Sequence, residues 1–183
     1  MEELETTLSA WAEDLQDFHL PTWEELPDLE LYMDQVVTLV DKYLSPIIQT
    51  TKHPLLTAAM VNNYVKKQIM PAPIKKKYNR RHLAYLIAIT TLKQVLTINE
   101  IQTGILFQGK HSGIRQAYDL FCDEQETAIH LIRSMIHGIP EIKESPIPLE
   151  LLAVKSATRS FASKLLTEKL IELESELVKV NNK

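Results

Sequence analysis

Apolar positions recur three and four residues apart along most of the chain, the spacing of one face of an α-helix. Leu4, Leu8, Trp11, Leu15 and Phe18 predict a first helix over 2–18. Pro21 and Pro27 punctuate the next stretch, and Thr22 is placed to cap a short turn through Trp23-Glu24-Glu25. With Asp28 as N-cap, the stripe Leu29, Tyr32, Met33, Val36, Leu39, Val40 and Tyr43 predicts a helix over 28–44. Thr57 caps a shorter helix to Lys67. Pro71 and Pro73 break the chain and predict an extended run from Ile74 to Tyr78. Asn79 caps an apolar helix from Arg80 to Leu96, and Thr97 opens a short one through Ile101 and Ile105. Gly104, Gly109 and Gly113 predict a loosened stretch around Gln108 to Ser112. Helices over 114–137, closed by Gly138 and Pro140, and from Pro146-Ile-Pro148 to Val180 complete the pattern. The proline clusters near 46–54 and 140–148 mark candidate boundaries or helix corners.

Composition narrows this to an all-α protein. Only 4 of 183 residues are glycine, too few for a sheet built from tight hairpins. A single cysteine, Cys122, excludes a disulfide framework and a thiolate zinc site, and it reads as a buried small hydrophobe. The longest largely apolar stretch, Leu83 to Leu92, is half of the ~20 residues a membrane span needs. The opening Met-Glu-Glu-Leu-Glu is acidic where a secretory signal would be basic. The expectation is a cytoplasmic protein without membrane contact.

The net charge of −4 conceals a segregation. Residues 1–41 carry twelve acids and no Lys or Arg, residues 42–99 carry ten bases and no acid, and residues 100–183 carry twelve acids and ten bases. Local charge, not the average, decides what a surface attracts. Within the acid-free stretch, the helix from Thr57 to Lys67 places Ala58, Val61 and Val65 on one face. Ala59, Asn62, Asn63 and Lys66 share the opposite stripe. A small residue permits close approach to a groove, an Asn side chain can bond adenine N6 and N7 together, and Lys suits phosphate or guanine. Beyond it, Pro71-Ala-Pro73-Ile-Lys75-Lys76-Lys77-Tyr78 predicts a stiff arm that would straddle a phosphate strand and fix register. Arg80 and Arg81 extend the same track. Asn62, Asn63, Tyr64, Lys66, Lys67, Lys75, Lys76, Lys77, Tyr78, Arg80 and Arg81 are the candidate contacts to double-stranded DNA.

These residues resemble two families. Val61-Asn-Asn-Tyr64, Ile69-Met70-Pro71, Lys76-Lys77-Tyr78 and the pair Leu83 to Val95 and Leu96 to Ile101 resemble the MerR-type winged helix-turn-helix head. In that likeness Asn62-Asn63 replaces an Arg-Tyr pair and Gln68 replaces a turn glycine. The segments 26–35, 60–66 and 71–86 are similar to an uncharacterised family of Gram-positive bacteria catalogued as domain of unknown function 1836. The resemblance implies a DNA-binding transcriptional regulator with no assigned chemistry. The expected layout is an acidic helical segment over 1–26, a MerR-like head over 27–105 and a helical C-terminal region over 106–183.

No Gly-rich phosphate loop, nucleophile elbow or zincin signature is present, so neither an enzyme nor a cofactor is expected. Glu126, His130 and His137 share helical spacing, which reads as surface and packing rather than a metal site. Leu166, Leu170, Leu173, Leu177 and Val180 step by four and three, a short seam suited to a homodimer or to packing on the chain's own helices. The alternative to DNA binding is a non-enzymatic protein-interaction module whose basic face docks on acidic residues. The N-terminal stripe Leu4, Leu8, Trp11, Leu15 and Phe18 is expected to pack on the helical core, and competition between the acidic N-terminal segment and DNA for the basic face is the alternative.

Overall fold

The helical periodicity is realised in a computed structural model that describes residues 2–48, 54–139 and 147–181. Among these residues there are seven α-helices: α1 (Glu2–Asp14), α2 (Met33–Leu44), α3 (Ala58–Lys66), α4 (Arg80–Leu92), α5 (Ile98–His111), α6 (Ile114–Ile136) and α7 (Leu152–Asn181). A single 3₁₀ turn, Leu149–Leu151, precedes α7.

Helix α4 is the centre. Its sequence is apolar on all sides, so it can only be buried: Leu83, Leu86, Ile87 and Ile89 are each fully enclosed. Helices α2, α5, α6 and α7 pack around it. Glu150 meets Gln108 at the α5–α6 corner and Lys155 meets Glu124 farther along α6, so α7 runs in the same direction as α6. Helix α1 lies on α6 and α7, where Glu13 accepts from Arg133 and lies 3.0 Å from His137 Nε2. That placement packs α1 on the helical core, as its apolar stripe implied. One cluster of buried side chains runs from Leu15 to Ala162 and draws on all three expected segments.

Several caps form as expected. Thr57 Oγ1 accepts from the Met60 amide, and the Thr97 hydroxyl and Glu100 carboxylate close a reciprocal box at the start of α5. Thr22 and Glu25 close the predicted short turn. Other boundaries move for identifiable reasons. Helix α1 stops at Asp14, because the chain turns to drive Leu15, Phe18 and Leu20 into the core. Helix α2 starts at Met33 rather than after Asp28, because Leu31 is drawn into an antiparallel bridge with Tyr78. Helix α5 continues through Gly104 and Gly109 to His111, where a loop was expected. Gly109 is tolerated there because Ile114 packs where its Cβ would sit, 2.8 Å from the Ile114 Cδ1. The boundary expectations near 46–54 and 140–148 fall largely on positions 49–53 and 140–146, outside the described residues.

The stretch 74–78 is not a straight arm. Ile74 and Lys77 pair across a two-residue turn in which Lys75 (φ 50°) and Lys76 (φ 63°) are both left-handed. Positive φ at both central residues is the requirement of a type I′ hairpin turn, which normally selects Asn and Gly. The result is a small hairpin tip held to the body by the Leu31–Tyr78 bridge.

The C-terminal seam packs inward. Leu173 is buried and Leu166 and Leu170 are half-buried, whereas Ile171 and Val178 face solvent. The Val180 side chain lies outside the described residues.

Candidate nucleic-acid interface

Helix α3 presents two faces of opposite character. Helix α3 packs on α2, with Val61 and Tyr64 buried and Met60 and Val65 half-buried beside them. Ala59, Asn62, Asn63, Lys66 and Lys67 are all exposed. Ala58, expected on the inner face, is exposed as well. The helix ends in a complete Schellman motif: the Ile69 amide bonds the Tyr64 carbonyl and the Gln68 amide bonds the Val65 carbonyl. Gln68 occupies the left-handed position at φ 57°, where glycine is favoured. The motif turns the chain sharply into Pro71 and the hairpin tip.

The eleven candidate contact residues divide into two groups. Asn62, Asn63, Lys66, Lys67, Lys75, Lys76 and Arg81 are exposed. Among the described residues none of these cations forms an ion pair. Tyr64 and Tyr78 are core residues, with burial raising both phenol pKa values. Arg80 is held inside: its Nε donates to the Leu26 carbonyl at 3.1 Å, and its guanidinium faces Glu24 and Asp28. Lys77 lies over the Tyr32 ring at 4.2 Å, with Glu30 at 3.9 Å. The acidic segment 24–30 thus neutralises the inner edge of the basic surface and leaves its outer part bare. Lys93, another base of the acid-free stretch, is also structural: its Nζ donates to the Leu55 carbonyl at 2.8 Å, and burial lowers its pKa.

His82 ties the hairpin to α4. Its ring is buried, with Nε2 3.3 Å from the Ala72 carbonyl and Nδ1 in contact with Asn79. Burial, and secondarily the Arg81 charge, lowers its pKa, so the ring is neutral at neutral pH. Thr91 and Lys93, at the other end of α4, are similarly engaged with backbone carbonyls.

One cation escaped the sequence pattern. A hollow of about 610 Å³ opens between the end of α3, the start of α4 and the end of α5. Arg81 and Lys110 both line it, beside Gln68, and no acid does. Lys110 is 29 positions from Arg81, in the stretch that the glycine spacing made look like a loop. Only the continuation of α5 brings it here.

Elsewhere the chemistry is structural. Cys122 is buried, its thiol pKa pushed up to about 12 by desolvation, with Sγ 3.8 Å from the Pro21 carbonyl. Glu126 accepts from the Leu20 amide and pairs with His19, and His130 is exposed. Among the described residues no three His, Cys, Asp or Glu side chains gather as a metal site, and no helix is long and apolar enough to cross a membrane.

Fold and surface together define an all-helical protein with an acid-free helix-and-hairpin face. The family model "Domain of unknown function (DUF1836)" matches residues 21–121, more than half of the chain, and the chain belongs to that family. The matched region runs from Pro21 through α2–α5 into α6 and leaves α1 and α7 outside. No curated protein and no solved structure matches the chain.

Proposed function

We propose that the chain is a DNA-binding transcriptional regulator with a MerR-like winged helix-turn-helix head. In this reading α3 enters the major groove and the Lys75–Lys76 hairpin tip is the wing. The observation that carries it is the exposed stripe Ala59, Asn62, Asn63 and Lys66 on a helix whose other face is locked into the core. A rigid helix with one apolar face fixed and one amide-rich face free can present base-reading groups in a set orientation. Lys66, Lys67, Lys75, Lys76, Arg81 and Lys110 would supply phosphate contacts that position the helix without reading sequence. Two half-sites call for a homodimer, and with Leu173 buried in its own chain the contact would lie outside that part of the seam.

Fluorescence anisotropy with a random-sequence duplex tests the electrostatic part. Changing Lys75, Lys76 and Lys77 to Ala should weaken binding and flatten the log K against log salt line by up to ~2 to 3 units, about 0.9 per lost phosphate contact. Selection from a random DNA pool tests the reading part. Asn62→Ala should cost ~1–3 kcal/mol at one base position, most simply an adenine, and spare nonspecific binding. The same consensus from variant and wild type would show that Asn62 reads no base.

A second reading is a protein-interaction module that keeps the fold. It is favoured by the way Glu24, Asp28 and Glu30 already dock on Arg80 and Lys77, since an acidic partner could continue that pattern outward. Failure of the selection to return any consensus would leave this reading standing.

A further inference from the structure

The hollow of about 610 Å³ that Arg81 and Lys110 share has fixed borders. Gln102 of α5 donates through Nε2 to the Lys67 carbonyl at 3.0 Å, which ties α5 to the C-terminal end of α3. His82 Nε2 of α4 lies 3.3 Å from the Ala72 carbonyl, which ties α4 to the segment leading into the hairpin. The Schellman turn at Gln68 closes the side between these two ties. The volume falls within the roughly 300–1,000 Å³ of small-molecule sites.

Its lining combines two chemistries. Val65, Pro71, Tyr85, Ile105 and Ile114 are half-buried and give it apolar walls. Arg81 and Lys110 are exposed, and among the described residues neither forms an ion pair. Gln68 adds an exposed amide beside them. None of the lining residues is Asp or Glu, although acids outnumber bases in the chain. Two cations around one space repel each other, and an anion taken into that space turns the repulsion into charge-assisted contacts. A bare inorganic anion would meet the charges and leave the apolar walls facing water. An uncharged hydrocarbon would do the reverse.

We propose that this hollow binds a small organic anion, with one oxyanion head for Arg81 and Lys110 and a compact apolar body for the walls. The head is a carboxylate or a phosphate monoester. Arg81 offers it a planar fork, whose guanidinium sits 5.8 Å from the Tyr85 ring centroid, and Lys110 offers a point charge. The hollow lies between the end of α3 and the chain that leads to the Lys75–Lys76 tip. An occupant therefore takes Arg81 and Lys110 away from DNA phosphates and lowers affinity for the duplex. This regulation, unlike the binding itself, rests on the proposed DNA-binding function.

The test titrates 1-naphthoate into the full isotope-labelled chain without DNA, followed by nuclear magnetic resonance. The expected result is one saturable isotherm on the amides of Gln68, Arg81, Lys110 and Ile114. Arg81→Gln and Lys110→Gln, both at exposed positions, should each weaken the probe about tenfold through one lost charge-assisted contact, with helical circular dichroism retained. Ala72→Glu, which adds an acid at an exposed lining position, should weaken it by a similar factor. The uncharged 1-naphthalenemethanol and inorganic phosphate should each bind at least about tenfold more weakly than 1-naphthoate. The tighter of 1-naphthoate and 1-naphthyl phosphate identifies the head. Shifts that map elsewhere, failure to saturate, equal binding by the folded variants, or equal binding of the alcohol or of inorganic phosphate overturns the proposal. Saturating probe should also weaken binding of a random-sequence duplex. An unchanged duplex affinity overturns the regulation and leaves the anion site in place. A wild-type chain that binds no duplex overturns the DNA-binding reading, and the arms without DNA still decide the site.

Discussion

Replacing Lys75 with Asn and Lys76 with Gly should strengthen the fold and weaken the interface at once. Both lysines sit at positive φ, 50° and 63°. An L-residue in the left-handed region costs roughly 1–2 kcal/mol, and Asn and Gly are the residues that escape most of it. Glycine returns about 0.5–1 kcal/mol through its looser unfolded chain, so the expected net gain is about 1–2 kcal/mol. Neither lysine makes an ion pair among the described residues, so no ion pair is lost against this gain. With a urea m-value of ~2–3 kcal/mol/M, the unfolding midpoint should rise by about 0.5 M. The same change removes two exposed charges, and the salt slope of DNA binding should flatten by up to ~1.8. Urea unfolding followed by circular dichroism and salt-dependent anisotropy read the two effects separately. An unchanged midpoint would refute the strain argument. An unchanged slope would refute phosphate contact at the tip, whatever happened to stability.

Gln68→Gly should raise stability by about 1 kcal/mol, read in the same urea experiment, because the Schellman position is left-handed and Gln carries a Cβ there. His82 should make stability fall as pH drops below 6.5: the unfolded chain takes up a proton there that the folded chain, with its lowered pKa, still refuses. His82→Gln should lower the plateau yet flatten that slope below pH 6.5, and a variant with the wild-type slope would assign the acid sensitivity elsewhere. His19 works in the opposite sense, since hydrogen bonding to Glu25 raises its pKa and its contribution is lost as pH rises through that value. Deleting residues 1–20 should destabilise the fold by about 2–5 kcal/mol through loss of Leu15, Phe18 and Leu20 from the core. Tighter DNA binding by a deletion that remains stable would instead restore the competition between the N-terminal segment and DNA.

What the sequence disclosed is what local physics decides. Thr57, Thr97 and Asn79 cap helices within three residues of themselves, and the apolar run of α4 has nowhere to go but inside. The bare stripe on α3 follows from spacing alone. What stayed hidden is settled by partners distant in sequence. Lysine has no preference for a left-handed turn, and Lys75-Lys76 adopts one where Ile74–Lys77 and Leu31–Tyr78 pair. Gly109 looks like a helix breaker until Ile114 needs the space above it. Arg80 reads as a phosphate contact until the chain returns with Leu26, Glu24 and Asp28. Lys110 joins Arg81 only once α5 is extended.

The strap from His19 to Leu31 limits how the chain can be divided. At one end α6 holds it by side chains: Glu126 accepts from the Leu20 amide, Asp119 from the Trp23 amide, and Tyr118 donates to the Pro21 carbonyl. At the other end the basic module holds it, through Arg80 on the Leu26 carbonyl and the paired backbones of Leu31 and Tyr78. A piece cut at 27–105 would lose the carbonyl that anchors Arg80 and the helix that anchors the strap, and a piece beginning at 106 would leave Asp119 and Glu126 without their amides. The basic module is therefore no portable cassette: grafted onto another protein it would arrive unstitched, without the α6 side chains that hold the strap and without the carbonyl that holds Arg80.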